Sequence, residues 1–188
     1  MKTIGLIAVL FALTATGCGG SMDLSSDWDP EADFTNLNTY QFAERVSRED
    51  DDPRVYNDIT EQRIRNAINT ALQARGYELV TTGEPDFKVG WHGSIDKRMN
   101  METVHNDYNY HTTGWVSPHD PRAPQSKTYV NEWEEGTLII DVIDPKKNEL
   151  MWRGTGTALV DEDVSAEKDQ SNLNDAVAKI LKAFPPQQ

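Results

Sequence analysis

The sequence predicts an α+β domain, a two-layer sandwich in which two helices pack on one face of a mostly antiparallel sheet. Its predicted elements follow the order strands, helix, strands, helix, without the alternating strand–helix series of a parallel sheet. Each helical segment has a single apolar stripe, so it must lie against another layer. Residues 136–160 predict a β-hairpin, and a hairpin needs such cover because it is marginally stable alone.

The hairpin is the clearest local pattern. Its two strands, residues 137–143 and 150–160, are rich in apolar and β-branched side chains, and the intervening residues 144–148 contain Asp-Pro and Asn. Residues 86–95 alternate apolar and polar side chains, which predicts a further half-buried strand. Shorter strands are expected at residues 24–28 and 39–43.

The first helix is predicted at residues 58–75, where apolar side chains recur at helical spacing. Two starts fit the pattern: Asp52 followed by Pro53, or Asp58 with Glu61 as a capping box. Gly76 is expected to end the helix, because glycine accepts the left-handed backbone that follows many helices.

The last helix is predicted from an apolar stripe that runs from Leu173 to Phe184. Ser171 or Asn172 is the expected N-cap, and Pro185 stops the helix. Residues 161–170, between the hairpin and this helix, are polar and are expected to be an exposed connection.

Residues 96–130 predict a long loop or a loose hairpin, since three prolines lie in its second half. The segment contains amphipathic aromatic side chains of the kind that binding loops use. The candidate partner-binding residues are Tyr108, Tyr110, His111 and Trp115. Residues 99–133 are the expected contact surface.

The N-terminus predicts a lipoprotein signal peptide over residues 1–17. Lys2 precedes an apolar run at residues 4–13 and small residues before Cys18, the only cysteine. That run is shorter than the roughly twenty residues that span a bilayer. The pattern resembles a bacterial lipobox, which implies cleavage before Cys18 and acyl chains such as palmitate on this residue. Residues 18–23 would then be the lipidated tether and residues 24–188 the single domain.

Localisation and charge narrow the set of partners. Gly19 after the cysteine resembles the pattern of lipoproteins sorted to the outer membrane, which implies its periplasmic face. The net charge of −13, from 31 acidic and 18 basic residues, opposes binding to nucleic acid. The expected partners are the membrane, through the lipid on Cys18, and an envelope protein or glycan.

Four groups of residues occur in an order that is familiar as a set. They are DPEADF at 29–34 with TY at 39–40, GY at 76–77 with PDFKV at 85–89, EGTL at 135–138 with WRG at 152–154, and FP at 184–185. With the lipobox, this order resembles the bacterial lipoprotein family built on the domain of unknown function 4136, over residues 24–186. The resemblance implies an exported, lipid-anchored α+β domain and no known activity, so it supplies no catalytic residues.

Candidate chemistry is sparse. His105, Asp107 and His111 are candidate metal ligands, but the two histidines are six residues apart, which fits neither the tight spacing of alternate residues on a strand nor the i, i+4 spacing of a zinc-binding helix. There is no Gly-x-Ser-x-Gly motif and no nucleotide-binding glycine loop, so no catalytic residue and no cofactor is assigned.

The sequence therefore predicts a non-enzymatic, outer-membrane-anchored periplasmic lipoprotein that acts as a binding or envelope-assembly module. Two alternatives stay open. One is a metal-binding or hydrolytic lipoprotein that uses the histidine-containing loop. The other is a purely structural envelope component.

Overall fold

The structure is a computed structural model that describes residues 21–104, 127–161 and 163–187. In chain order its elements are β1 (Asp23–Trp28), β2 (Thr39–Phe42), α1 (Asp58–Gln73), β3 (Glu78–Leu79), β4 (Phe87–Val104), β5 (Lys127–Asp144), β6 (Glu149–Leu159) and α2 (Ala166–Leu181). The six described strands form one open sheet with the spatial order β1-β6-β5-β4-β2-β3. The predicted α+β two-layer architecture is confirmed.

The sheet is antiparallel across β1, β6, β5 and β4, and parallel at one edge. Strand β2 pairs in parallel with both β4 and β3. Strand β2, helix α1 and strand β3 thus form one strand–helix–strand unit, in which the helix connects two neighbouring parallel strands. The sequence does not predict this parallel edge, because β3 has only two residues and no periodicity of its own.

The core lies between one face of the sheet and the two helices. Its largest fully buried side chains are Trp152, Tyr40, Phe87, Phe184, Ile68, Leu72, Ile140 and Leu181. The hydroxyl of Tyr40 in β2 donates to Oδ1 of Asn69 in α1 at 2.7 Å, and burial raises the pKa of Tyr40 to about 12. A Cβ on Gly154 of β6 would lie 2.6 Å from Cγ2 of Ile180 in α2. Both helices therefore cover the same face, as predicted.

The two helices run parallel to each other. Near their N-termini, Nη1 of Arg63 in α1 lies 3.0 Å from Oδ2 of Asp169 in α2. At the other end, the guanidinium of Arg75 donates to the backbone carbonyls of Leu181 and Phe184. These contacts place a positive charge against the C-terminal carbonyls of α2, where the helix dipole favours it.

Helix α1 begins at Asp58, as predicted, but its N-cap differs from both predicted caps. The N-cap is Asn57, whose Oδ1 accepts from the backbone N–H groups of Ile59 at 3.1 Å and Thr60 at 3.0 Å. Asp58 is instead an acidic residue of the first turn. The helix ends at Gln73, two residues before the predicted end, and Gly76 has the predicted left-handed backbone, with a φ of 91°.

The prediction for the start of α2 is wrong. The helix begins at Ala166 with Ser165 as N-cap, so Ser171 and Asn172 lie within it, and residues 166–170 are helical rather than a connection. The first turns of α2 are largely exposed and polar, so they have no apolar stripe from which the sequence could predict a helix. Ala, Glu, Lys and Gln are nevertheless strong helix formers, which explains why the helix starts early.

Candidate functional site

The most prominent surface feature is a projecting β-ribbon formed by β4 and β5. Directly after the end of β6, the N–H of Val160 donates to the backbone carbonyl oxygen of Glu134 at 2.9 Å. Beyond that point, residues 97–104 pair with residues 127–134, and no other described strand pairs with either segment. We call these two segments the arm. Eight residue pairs at about 3.3 Å each give it a length of about 26 Å.

The arm exposes large apolar side chains. Met99, Met101, Tyr129 and Val130 are 59%, 64%, 52% and 50% exposed. Met101 pairs with Val130, and Met99 lies two residues before Met101, so these three side chains share one face of the ribbon. Strand edges and exposed apolar side chains of this kind favour binding of another chain.

Two glutamates brace the base of the arm, one on each face. Glu134 accepts from Nη1 of Arg54 at 3.0 Å on the face that the helices cover. On the other face, Glu135 accepts from Nε1 of Trp133 at 3.1 Å and from Nε of Arg98 at 2.9 Å. These hydrogen bonds lower the pKa of Glu135, with the bond from Trp133 as the largest cause. The arm is thus held in orientation relative to the body.

The outer edge of β4 is blocked where the arm leaves the body. The hydroxyl of Tyr56 accepts from the N–H of Gly93 at 3.1 Å and donates to its carbonyl oxygen at 3.0 Å. The Tyr56 ring stacks on Trp91 with a centroid distance of 5.4 Å, and the guanidinium of Arg45 lies over it at 3.6 Å. The backbone of β4 at Gly93 is therefore unavailable to a further strand, whereas no other described strand pairs with the arm.

The open face of the sheet has one buried charge, on Asp141, which is 4% exposed. Its oxygens accept from Nε and Nη2 of Arg153, both at 2.7 Å, and this pairing raises the pKa of Arg153. Nε2 of His92 lies 3.7 Å from Oδ2 of Asp141, which is too long for a hydrogen bond.

This cluster does not have the geometry of a catalytic triad. A triad needs a carboxylate that orients the histidine and a nucleophile within its hydrogen-bond reach. Here both oxygens of Asp141 accept from Arg153, and Nε2 of His92 lies beyond hydrogen-bond distance of Asp141. We therefore assign Asp141 and Arg153 as a structural ion pair.

At the end of the sheet opposite the arm, Asp86 joins the start of β4 to the start of β2. Its Oδ2 accepts from the backbone N–H groups of Thr39 at 2.8 Å and Asn38 at 3.0 Å, and from the Thr39 hydroxyl at 2.9 Å. The backbone bond from Thr39 is the largest cause that lowers the pKa of Asp86. Asp86 also lines an acidic cleft of about 360 Å³. Within the described residues, no three His, Cys, Asp or Glu side chains form a cluster that would hold a metal ion.

A second cavity of about 340 Å³ lies between the N-terminal halves of the helices and the sheet. We call it the groove. Gly93, Gly136 and Gly156, on three adjacent strands, line its floor. The sequence does not predict this site, because only the register of the strands brings these three glycines together.

The site residues predicted from the sequence are not tested by the structure. Those that lie outside the described residues are Cys18, His105, Asp107, Tyr108, Tyr110, His111 and Trp115. The expected contact surface at residues 99–133 is described at its two ends, where it coincides with the arm. The hairpin alternative for residues 96–130 is confirmed for those two ends.

Neither helix of the described part combines the length and apolar character that a membrane span requires. Similar solved structures include a PDZ domain protein from Parabacteroides distasonis, with 16% identity and a TM-score of 0.53 over 88% of this chain and 36% of that chain. The chain therefore spans about a third of that protein, and the likeness concerns the fold alone. A PelC dodecamer from Paraburkholderia phytofirmans is 11% identical, with a TM-score of 0.46 over 89% of this chain and all of that chain.

No curated protein matches the chain significantly. A family model does match, and it extends over residues 24–186, which is most of the chain. This is the family that the order of the four residue groups suggested. The chain belongs to the DUF4136 family, which is defined by a domain of unknown function.

Proposed function

We propose that this protein is a non-enzymatic binding or assembly module of the bacterial cell envelope. In this proposal, acyl chains on Cys18 hold it at the periplasmic face of the outer membrane, and the arm contacts an envelope protein. The family match indicates no enzymatic class, and the described part of the chain has no catalytic constellation.

The observation that carries the proposal is the arm. It extends beyond the body, its base is braced by Glu134 and Glu135, and one of its faces carries Met99, Met101 and Val130. A ribbon that is braced at one end and apolar at its surface is suited to receive a partner strand. Backbone hydrogen bonds at the strand edge would supply affinity, and the exposed side chains would supply specificity. Methionine adapts to irregular apolar partners, which favours a protein over a glycan.

The contact is tested by a photoreactive amino acid placed at Met101 in intact cells, followed by mass spectrometry of the crosslinked product. We expect one defined envelope protein to be attached. The same experiment in a protein that also carries Met99→Ser and Val130→Ser should reduce the crosslink about thirtyfold, since the two lost apolar contacts are together worth about 2 kcal/mol.

Leu159→Ser is the matched control, because Leu159 is a large apolar side chain, 70% exposed, on β6 outside the arm. It should leave the crosslink unchanged. If the arm substitutions also leave it unchanged while all variants keep the same urea midpoint, the arm is not the contact surface. A defect in the envelope that depends on the protein but on no arm residue would favour the purely structural alternative.

The anchor is tested separately by the mass of the N-terminal peptide and by Cys18→Ser. We expect an acylated Cys18 in the natural protein and loss of membrane association in the variant. A free Cys18 thiol on a protein that fractionates with the periplasm would contradict the lipid anchor. It would not contradict the proposal that the arm contacts an envelope protein.

A further inference from the structure

The groove is bounded by apolar walls above its floor of glycines. The walls come from both helices, from the segment before α1 and from the sheet. The main apolar side chains are those of Val55, Ile64, Ile95, Leu138, Leu173 and Ala176. The floor glycines let neighbouring side chains pack closely on the sheet: a Cβ on Gly93 would lie 2.7 Å from Cγ1 of Val55, and one on Gly136 would lie 3.1 Å from Cγ2 of Val160. The volume of the groove, about 340 Å³, is within the range of small-molecule sites.

The charges at the rim of the groove do not call for an anionic ligand. Arg63 is paired with Asp169 at 3.0 Å. Arg54 is paired with Asp52 at 2.9 Å and with Glu134 at 3.0 Å. Since each rim arginine already has a carboxylate partner, the ligand that fits is an apolar chain.

The chain itself enters the domain at this groove. Met22 lines it, and the Met22 sulfur would lie 3.2 Å from a Cβ on Gly156. Strand β1 begins directly afterwards, at Asp23. Cys18 is four residues before Met22, so a fully extended connection is at most about 14 Å long. Any acyl chain on Cys18 therefore starts within about 14 Å of Met22, which lines the groove.

We propose that the groove binds one acyl chain of the lipid carried by Cys18 of the same molecule. This inference rests on the proposed lipid anchor. The tether keeps the effective concentration of the acyl chain at the groove high whenever the lipid is out of a bilayer. The groove then shields apolar chain from water, and a membrane competes for the same chain.

The test uses the full chain, purified as the acylated protein and freed of detergent, with a photoreactive amino acid at Leu173 in the groove. The matched control position is Ala178, which is exposed on the same helix. We expect the crosslink to the acylated N-terminal peptide to be at least about tenfold stronger from Leu173, because the tethered chain is held at the groove. Ala158→Phe, which places a large side chain into the groove, should remove the difference.

Two results overturn the inference and are distinguishable. Equal crosslinking from both positions on a protein whose Cys18 is acylated contradicts binding of the acyl chain in the groove, but it does not contradict the lipid anchor. An unmodified Cys18 overturns the anchor and the groove together. If Ala158→Phe does not fold, the comparison of Leu173 with Ala178 still decides the question without it.

Discussion

Substituting Gly154 by alanine should destabilise the fold, whereas the same substitution at Gly90 should not. The two glycines lie on opposite faces of the same sheet. A Cβ on Gly154 would lie 2.3 Å from Cη2 of Trp152 and 2.6 Å from Cγ2 of Ile180. A Cβ on Gly90 would meet Cδ1 of Ile143 at 3.8 Å, which is ordinary van der Waals contact.

The size of the effect follows from two opposing contributions. Replacing a strand glycine by alanine stabilises the fold by about 0.5–1 kcal/mol through the entropy of the unfolded chain, and this gain is shared by both variants. Overpacking costs about 1–3 kcal/mol, and only Gly154→Ala has that cost. Trp152 is fully buried and Ile180 is 3% exposed, so neither side chain can move into solvent. The two variants should therefore differ by about 1–3 kcal/mol in the free energy of unfolding, with Gly154→Ala the less stable.

Urea unfolding followed by tryptophan fluorescence measures this difference directly. For a protein of this size, the difference corresponds to about 3–9 °C in the melting temperature. Far-UV circular dichroism should be the same for both variants. Equal unfolding midpoints for Gly154→Ala and Gly90→Ala would refute the close packing of α2 on β6 and the assignment of the two faces.

Two further predictions concern charges. Arg153→Met leaves the carboxylate of Asp141 buried without its partner, so it should lower the free energy of unfolding by about 3 kcal/mol. The double variant Arg153→Met with Asp141→Asn should be more stable than Arg153→Met alone in urea unfolding. Equal free energies of unfolding for the two variants would contradict the ion pair. Asp86 has a lowered pKa, so its carboxylate stabilises the fold above the unfolded-state pKa of about 3.9, and this contribution is lost as the pH falls through the lower folded-state pKa. Asp86→Asn should therefore cost about 1 kcal/mol at neutral pH, because solvent screens this exposed carboxylate, and less at about pH 2, as measured by urea midpoints at both pH values; a constant loss would contradict this prediction.

The candidate surfaces were only partly predictable. The sequence predicts residues 99–133 as a contact surface, but the apolar face that Met99 and Met101 share with Val130 depends on a pairing across a connection of more than twenty residues. The ion pair of Asp141 with Arg153 joins the two strands of the predicted hairpin, but the burial of Asp141 depends on residues outside the hairpin. Neither property is encoded by neighbours along the chain.

The sequence by itself determined the local elements and the class of fold. The spacing around Ile68 and Leu72 predicts α1, the left-handed backbone at Gly76 ends it, and β-branched runs on both sides of a turn predict the hairpin. These features depend on interactions within a few residues, so local pattern is sufficient to predict them.

Only the tertiary structure decided the parallel edge of β2, the length of the arm and the groove. Strand β2 is aligned by the return of the chain through α1. The floor of the groove forms where the strand register places Gly93, Gly136 and Gly156 on the same face of three adjacent strands. Such features result from contacts between residues far apart in the chain, and only the packing of the whole domain selects those contacts.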